Sequence, residues 1–402
     1  MMIGRIVKRD NVFYCVIKDK TYPVVLDAKD KICNGDLVKI GDSDTTIVAE
    51  IKRSQLVVLK KILPTTKLPA ISESIPLYER LENRILDLRS PNNHAKFIVR
   101  SEIKKILTKL FDSDGYINTD TPLIIGNMTE GRVENFEIDF FGDKASLTMT
   151  KLVHLRYLIC SDFEKVYDLS PVFVAGQQNT PSHISEYHTF DWATSEQISF
   201  NKYLQSVDKI LSELITKLLQ STKSTDLKIN FEYGSLLEDI KHVKVVTYTK
   251  LADQYLTKYP DDKKILEQFH LPGRVVSFAH DCYGKYFWVT EFPEKFKQFY
   301  CDTINKGSKN VVLSSELWWR NVKVGSVSFS SSDYQKTLGR IKLLGLEPKN
   351  FKTYLNATDF ASSDAYLGSL YIERLMMVLL NIENIKETVM FPRATRGTVL
   401  DP

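Results

Sequence analysis

The side chains best suited to chemistry fall in three stretches. In PVFVAGQQNTPSHISEYHTFDW (residues 171–192), His183, Glu186 and Tyr187 follow a polar turn set between two apolar, strand-like runs. That pattern reads as a hairpin that presents polar groups at its tip. A hairpin that clasps a nucleotide would be expected to carry an arginine and an acid near its start, but Val174 and Gly176 stand there. In LGSLYIERLMMVLLNI, Glu373 and Arg374 adjoin, and a guanidinium in that place could grip an anionic oxygen in two directions. In SSELWWRNVKVGSVSFSSSD, Glu316 is an acid that could face a metal. A single carboxylate rarely holds a catalytic magnesium without help from substrate phosphates.

Directly searchable chemistry is absent. The sequence has no GxxxxGK[ST], no GxGxxG after a strand, no GxSxG, no HExxH and no calcium loop. Glycine is sparse, at 17 of 402 residues. Generic kinase and hydrolase readings therefore have no support. The five cysteines are scattered, without a CxxC pair, which fits reduced thiols in a cytoplasm better than disulfides or a zinc site. A net charge of +4 permits contact with nucleic acid without demanding it. No apolar run reaches the roughly eighteen residues of a membrane span, and MMIGRIVKRDN lacks a signal-type apolar core.

The elements that would position these groups can be read from periodicity. Residues 1–65 alternate short apolar strands with turn signals (IGRIVK, VFYCVIK, YPVVL, DLVKI, TTIVAEI, LVVLKKI), which predicts a small all-β barrel. Residues 66–80 carry prolines and hydroxyls and read as a linker to a domain over 81–402. There, FIVRSEIKKILTKLFDSDG and FNKYLQSVDKILSELITKLLQ have helical spacing, and LGSLYIERLMMVLLNI is expected as a final helix. Strand-like KVYDLSPVFVA, YFWVTEF, NVVLSSELWW and VKVGSVSFS lie between them, so the fold class expected is α+β with an antiparallel sheet flanked by helices.

In order and spacing, these segments resemble class II aminoacyl-tRNA synthetases of the aspartyl and asparaginyl branch. KFIVRSEIKKILTKLFDSDGYINTDTP resembles motif 1 (about 96–122), the hairpin resembles motif 2 (about 166–191), and YIERLMMVLLNIENIKETVMFPR resembles motif 3 (about 365–393). The LDLR and FPR flanks agree, and the likeness covers essentially the whole chain. It implies an OB-like anticodon-binding barrel at the N-terminus, with Tyr14 as the aromatic that stacks on a base. A core tyrosine is the equal alternative. It also implies a homodimer built through motif 1, with tRNA as a partner.

Residue by residue, the resemblance implies losses at the ATP site. The family's motif 2 FRAE is FVAG here, so Val174 replaces the arginine on the α-phosphate and Gly176 replaces the acid; Ser182 replaces the loop arginine. His183, Glu186 and Tyr187, the last in the place of an aromatic stacked on adenine, persist, with ordinary strand packing as the alternative. Motif 3 glycines become Leu367, Ser369 and Tyr371, with Gly368 out of phase, while Arg374 matches a phosphate-binding arginine. Glu316 is the one acid left for magnesium. In the amino-acid pocket, TEGRVENF offers Glu130 for the substrate ammonium with Arg132 beside it. Leu155 falls where aspartyl enzymes carry a lysine, which leans the pocket towards an asparagine-like side chain.

Removing one preorganised donor to a developing charge typically costs a rate factor of about 10²–10³. The expectation is therefore a synthetase-like paralogue that does not aminoacylate in the standard way and binds tRNA or a protein partner. The alternative is an active asparagine-type ligase with a rebuilt site, and only that alternative needs ATP and magnesium.

Overall fold

Two long helices show how apolar spacing becomes packing. Pro91–Ser113 starts with proline in its first turn and stops just before Gly115, whose φ of 82° leaves the helical region. Val99, Ile103 and Leu107 recur every fourth residue on it and are fully buried. Phe200–Lys223 buries Leu204, Leu211 and Leu218, one every seventh residue, or two turns apart. Each such side chain removed from water contributes roughly 1.5–3 kcal/mol before entropy is counted. Together they cover one face of a large sheet, against Phe190, Trp192, Trp288 and Trp319.

In the computed structural model the chain divides into two units, one of Met1–Pro76 with Lys223–Leu227, the other of Leu77–Thr222 and Lys228–Pro402. The structure describes residues 75–126, 135–223, 233–267, 271–307, 309–360 and 363–395, and before residue 75 the backbone of seven strands alone. Five of those strands form an antiparallel sheet (Lys20–Val24, Val12–Ile17, Met2–Arg9, Leu37–Ile40 and Lys60–Leu63, in that order), and Ile47–Ala49 pairs with Leu56–Val58. All seven overlap the six apolar segments expected to be strands, LVVLKKI dividing into two.

The larger unit is α+β, a nine-stranded sheet flanked by helices. From one edge the strands run Lys244–Thr247, Tyr286–Pro293, Lys309–Trp319, Val322–Ser330, Ala365–Tyr371, Glu186–Thr194, Lys165–Phe173 and Ile117–Asn118; Thr303–Lys306 pairs beside Lys309–Trp319. The pairing is antiparallel except at the two ends, where Lys244–Thr247 and Ile117–Asn118 join in parallel. The hairpin of residues 171–192 is formed as expected, with Val172 opposite Tyr187 and Phe173 opposite Glu186.

The final helix is a correction. Ala365–Tyr371 is a central strand, and the helix covers only Ile372–Leu379. AYLGSLY alternates, so a period of two places Tyr366, Gly368 and Leu370 on one face and Leu367, Ser369 and Tyr371 on the other. Two strand neighbours make that alternation decisive. Gly368 is explained by the same geometry: an added Cβ would lie 2.1 Å from the Trp192 ring. It serves the apolar face and does not shape the opposite one. Among the described residues no helix is long and apolar enough to cross a membrane.

Candidate functional site

The second face of the sheet opens into a cavity of about 790 Å³. Alternation supplies its floor, with Thr189 and Asp191 from the returning hairpin strand, Ser369 and Tyr371 from the next, Ser326 and Ser328 from the third and Ser314 and Glu316 from the fourth. The hairpin arm and the helix Ile372–Leu379 form the walls, with Val174, Gly176, Ser182, His183 and Tyr187 on one side and Arg374 on the other.

Below this floor lies a buried ionic knot. Lys151 is fully buried, and its Nζ donates to the Thr189 carbonyl (2.9 Å), the Ser170 carbonyl (3.0 Å) and Asp168 Oδ1 (3.3 Å), with Asp191 Oδ2 at 3.9 Å. Thr121 and Ser170 also donate to Asp168. Burial would raise the Asp168 carboxyl, but Lys151 and these donors hold it below its usual range. Asp191 shares the same ammonium and bonds Ser369 and Thr189, yet burial dominates and pushes it up.

Glu373 is committed elsewhere. It accepts from Arg100 on the long helix and from the His188 backbone N–H (2.9 Å). Burial works against its charge, and these donors overcome it, so its carboxyl lies low. This bond ties the motif 1 helix to the first turn after the motif 3 strand.

The cations are the unexpected part. Lys297 and Lys323 both converge on Glu316 Oε1, at 2.5 and 2.8 Å. Lys297, from the short Glu294–Phe296 turn region, is buried and stands 3.6 Å from the Phe292 ring centroid. Burial depresses its ammonium; Glu316 acts in the opposite sense. Burial would raise Glu316, but the two lysines bring its carboxyl down to about 2. Its second oxygen, Oε2, is buried and has no hydrogen-bond partner among the described residues.

Glu316 therefore does not fit the magnesium-ligand role drawn from its type. Two ammonium groups already contact its Oε1, and their like charge opposes a divalent cation beside them. Among the described residues no group of three or more His, Cys, Asp or Glu could hold a metal.

The nucleotide-site candidates do gather here. Tyr187 lines the cavity and meets Tyr371 in a T-shaped contact with centroids 6.3 Å apart. Arg374 stands over the Tyr371 ring at 5.5 Å and Lys323 at 5.9 Å. The Tyr371 hydroxyl lies 3.2 Å from Ser326 Oγ, and burial pushes the phenol up to about 12. Arg374 has no carboxylate partner among the described residues, and donates at 3.4 and 3.5 Å to the Ser182 and Lys323 carbonyls. His183 Nδ1 contacts Thr180 Oγ1 at 2.5 Å. A Cβ at Gly176 would meet nothing closer than the Val174 side chain at 3.7 Å, so no close approach demands glycine.

Other candidates are placed differently. Glu186 opens its strand without lining the cavity. Leu155 is fully buried in the apolar core, because its helix, Leu152–Cys160, turns Leu152 towards the cavity instead. Leu155 therefore cannot read a ligand there. Glu130 and Arg132 lie outside the described residues; so does the side chain of Tyr14, whose backbone is in Val12–Ile17. Lys151, Lys297 and Lys323 were missed. Alternation in VKVGSVSFS would set Lys323 on the face opposite Ser326 and Ser328; the register shift at Leu317/Trp318 brings it to their side, so no signal in the sequence pointed to any of the three.

Residues 77–395 match the family of class II tRNA synthetases (D, K and N). The chain belongs to this family. Its relatives include the aspartate–tRNA(Asp/Asn) ligase of Methanococcus aeolicus, 26% identical over 332 residues that cover 81% of this chain and 72% of that one. The aspartate–tRNA(Asp) ligase of Pyrococcus furiosus is 29% identical over 335 residues, covering 82% and 74%. The fold is shared with the asparaginyl-tRNA synthetase of Pyrococcus horikoshii solved with asparaginyl-adenylate (TM-score 0.81, 19% identity, 97% of this chain and 94% of that one). Within this aspartyl/asparaginyl-like synthetase fold the cavity lies between the hairpin of residues 171–192, the strands Lys309–Trp319, Val322–Ser330 and Ala365–Tyr371, and the helix Ile372–Leu379.

Proposed function

We infer that this synthetase-like chain is a paralogue that does not form an aminoacyl-adenylate by the family's usual route and that acts by binding tRNA or a protein partner. The Tyr371 ring carries this reading. It takes the aromatic contact of Tyr187 and the cationic contact of Arg374 that a stacked base would otherwise use. Val174, which can neither carry charge nor donate, stands on the hairpin wall, and Ser182 gives Arg374 only a carbonyl. Support for a homodimer comes from a three-stranded sheet beside the motif 1 region, where Ile124, Phe140 and Phe141 are exposed. The cytoplasm is the compartment that fits such a role.

ATP–pyrophosphate exchange, measured across all amino acids with magnesium present, tests the reading. No exchange with any of them is expected, and robust exchange with one would overturn it. A second reading is favoured by the size of the cavity and by the bare Glu316 oxygen: an ATP-dependent asparagine-type ligase with rebuilt contacts. Only this reading calls for ATP and magnesium.

A further inference from the structure

Six charged side chains line the cavity besides His183, and their pairing is unequal. Asp191 is engaged by Lys151, and Glu373 by Arg100 and His188, none of which lines the cavity, so both acids are compensated from outside it. Glu316 is the remaining acid, against Lys297, Lys323 and Arg374. The surplus is positive, and it sits among four serine hydroxyls: Ser314, Ser326, Ser328 and Ser369. Independently, Glu316 Oε2 is an unpartnered acceptor on a side chain only 3% exposed. A buried carboxylate oxygen left without a donor costs free energy unless a ligand or water supplies one.

We propose that this cavity binds a small ligand bearing a phosphate or carboxylate next to an N–H or O–H donor, and that it does so without a divalent metal. Lys323 and Arg374 receive the anionic oxygens, and the donor meets Glu316 Oε2. Lys297 holds Glu316 in place from beneath, as a positioning residue. The two lysines supply the positive charge that the family takes from magnesium, and their charge beside Glu316 opposes that ion. This deepens the partner-binding reading, since the former catalytic cleft then takes a metabolite-sized anion. A phosphate ester and an amino acid both present the required chemistry.

Calorimetric titration of the full chain with inorganic pyrophosphate and, separately, L-aspartate tests this, each with excess EDTA and with excess magnesium. One of the two is expected to bind in EDTA at least as well as in magnesium, which itself sequesters pyrophosphate. Pyrophosphate binding would mark the phosphate-ester class, and aspartate binding the amino-acid class. Lys323→Met should weaken that binding about tenfold or more, the usual effect of losing a charge-assisted bond. Lys323 is partly exposed, and the Lys297–Glu316 pair survives its loss, so the variant should keep its circular dichroism. Arg374→Met should act in the same direction. Binding that needs magnesium, no binding by either probe, or affinity untouched by both variants would overturn the proposal. Failure here is separable from failure above: exchange that persists in EDTA sinks the inactive-paralogue reading alone, and magnesium-dependent binding without exchange sinks the metal-free site alone.

Discussion

At the scale of single residues, charge burial sets the clearest expectations. Glu316→Gln leaves the buried Lys297 ammonium without its anion, which should cost about 3–5 kcal/mol in denaturant unfolding at neutral pH. The folded carboxyl titrates near 2 against an ordinary 4.5, so its stabilisation is fully present above about 4.5 and is lost as pH falls towards 2. The gap between wild type and Glu316→Gln should therefore close over that acid window. A gap unchanged from neutral pH to pH 3 would mean that the lysines do not hold this carboxylate. Tyr371→Ala addresses the blocked nucleotide place. Its ring contacts amount to roughly 1–2 kcal/mol, so their removal should tighten ATP binding about tenfold in a calorimetric comparison with wild type. Equal affinities would show that the ring obstructs nothing.

At the scale of elements, the sheet's alternation does most of the positioning. Gly368→Ala should destabilise by about 1–3 kcal/mol or more, because the new methyl would enter a Trp192 ring whose Nε1–H is bonded to Tyr203 at 2.6 Å. Urea unfolding with no shift in midpoint would contradict that packing. The elements were largely legible in the sequence: the long helices, the hairpin and four interior strands follow from periodicity and turn residues. The strand Ala365–Tyr371 was not. Its apolar content runs straight into Ile372–Leu379, and only its neighbours on both sides reveal a period of two. The cation cluster was illegible for a related reason. Lys297 and Glu316 stand 19 positions apart and meet because a short turn folds back over the sheet. Leu155 shows the reverse error: a motif position assigned to a pocket, while the helix turns that side chain into the core.

At the scale of the whole molecule, assembly and partner carry the test. Light scattering should find a dimer, and Phe140→Asp, at an exposed apolar position beside Phe141, should shift it towards monomer. A wild-type monomer at all concentrations would remove the homodimer. If tRNA is the partner, its affinity should fall steeply as salt rises, through released counterions, and an affinity indifferent to salt would point to a different partner.

The Tyr371 ring also changes how occupancy of this cleft responds to concentration. It is joined to the chain beside the contacts it uses, so it competes as a resident at a fixed, high local concentration, on the order of millimolar or above. An external base must first displace it, and its apparent affinity is reduced to the small fraction of its intrinsic value given by the molecules in which the ring has swung away. Rising cellular nucleotide would then barely register in this cleft, while a ligand that asks only for Lys323, Arg374 and Glu316 has to replace the ring's cationic contacts alone and can leave its contact with Tyr187 in place. On the reading proposed above, the same side chain acts as a selectivity filter that favours smaller anions over a nucleotide.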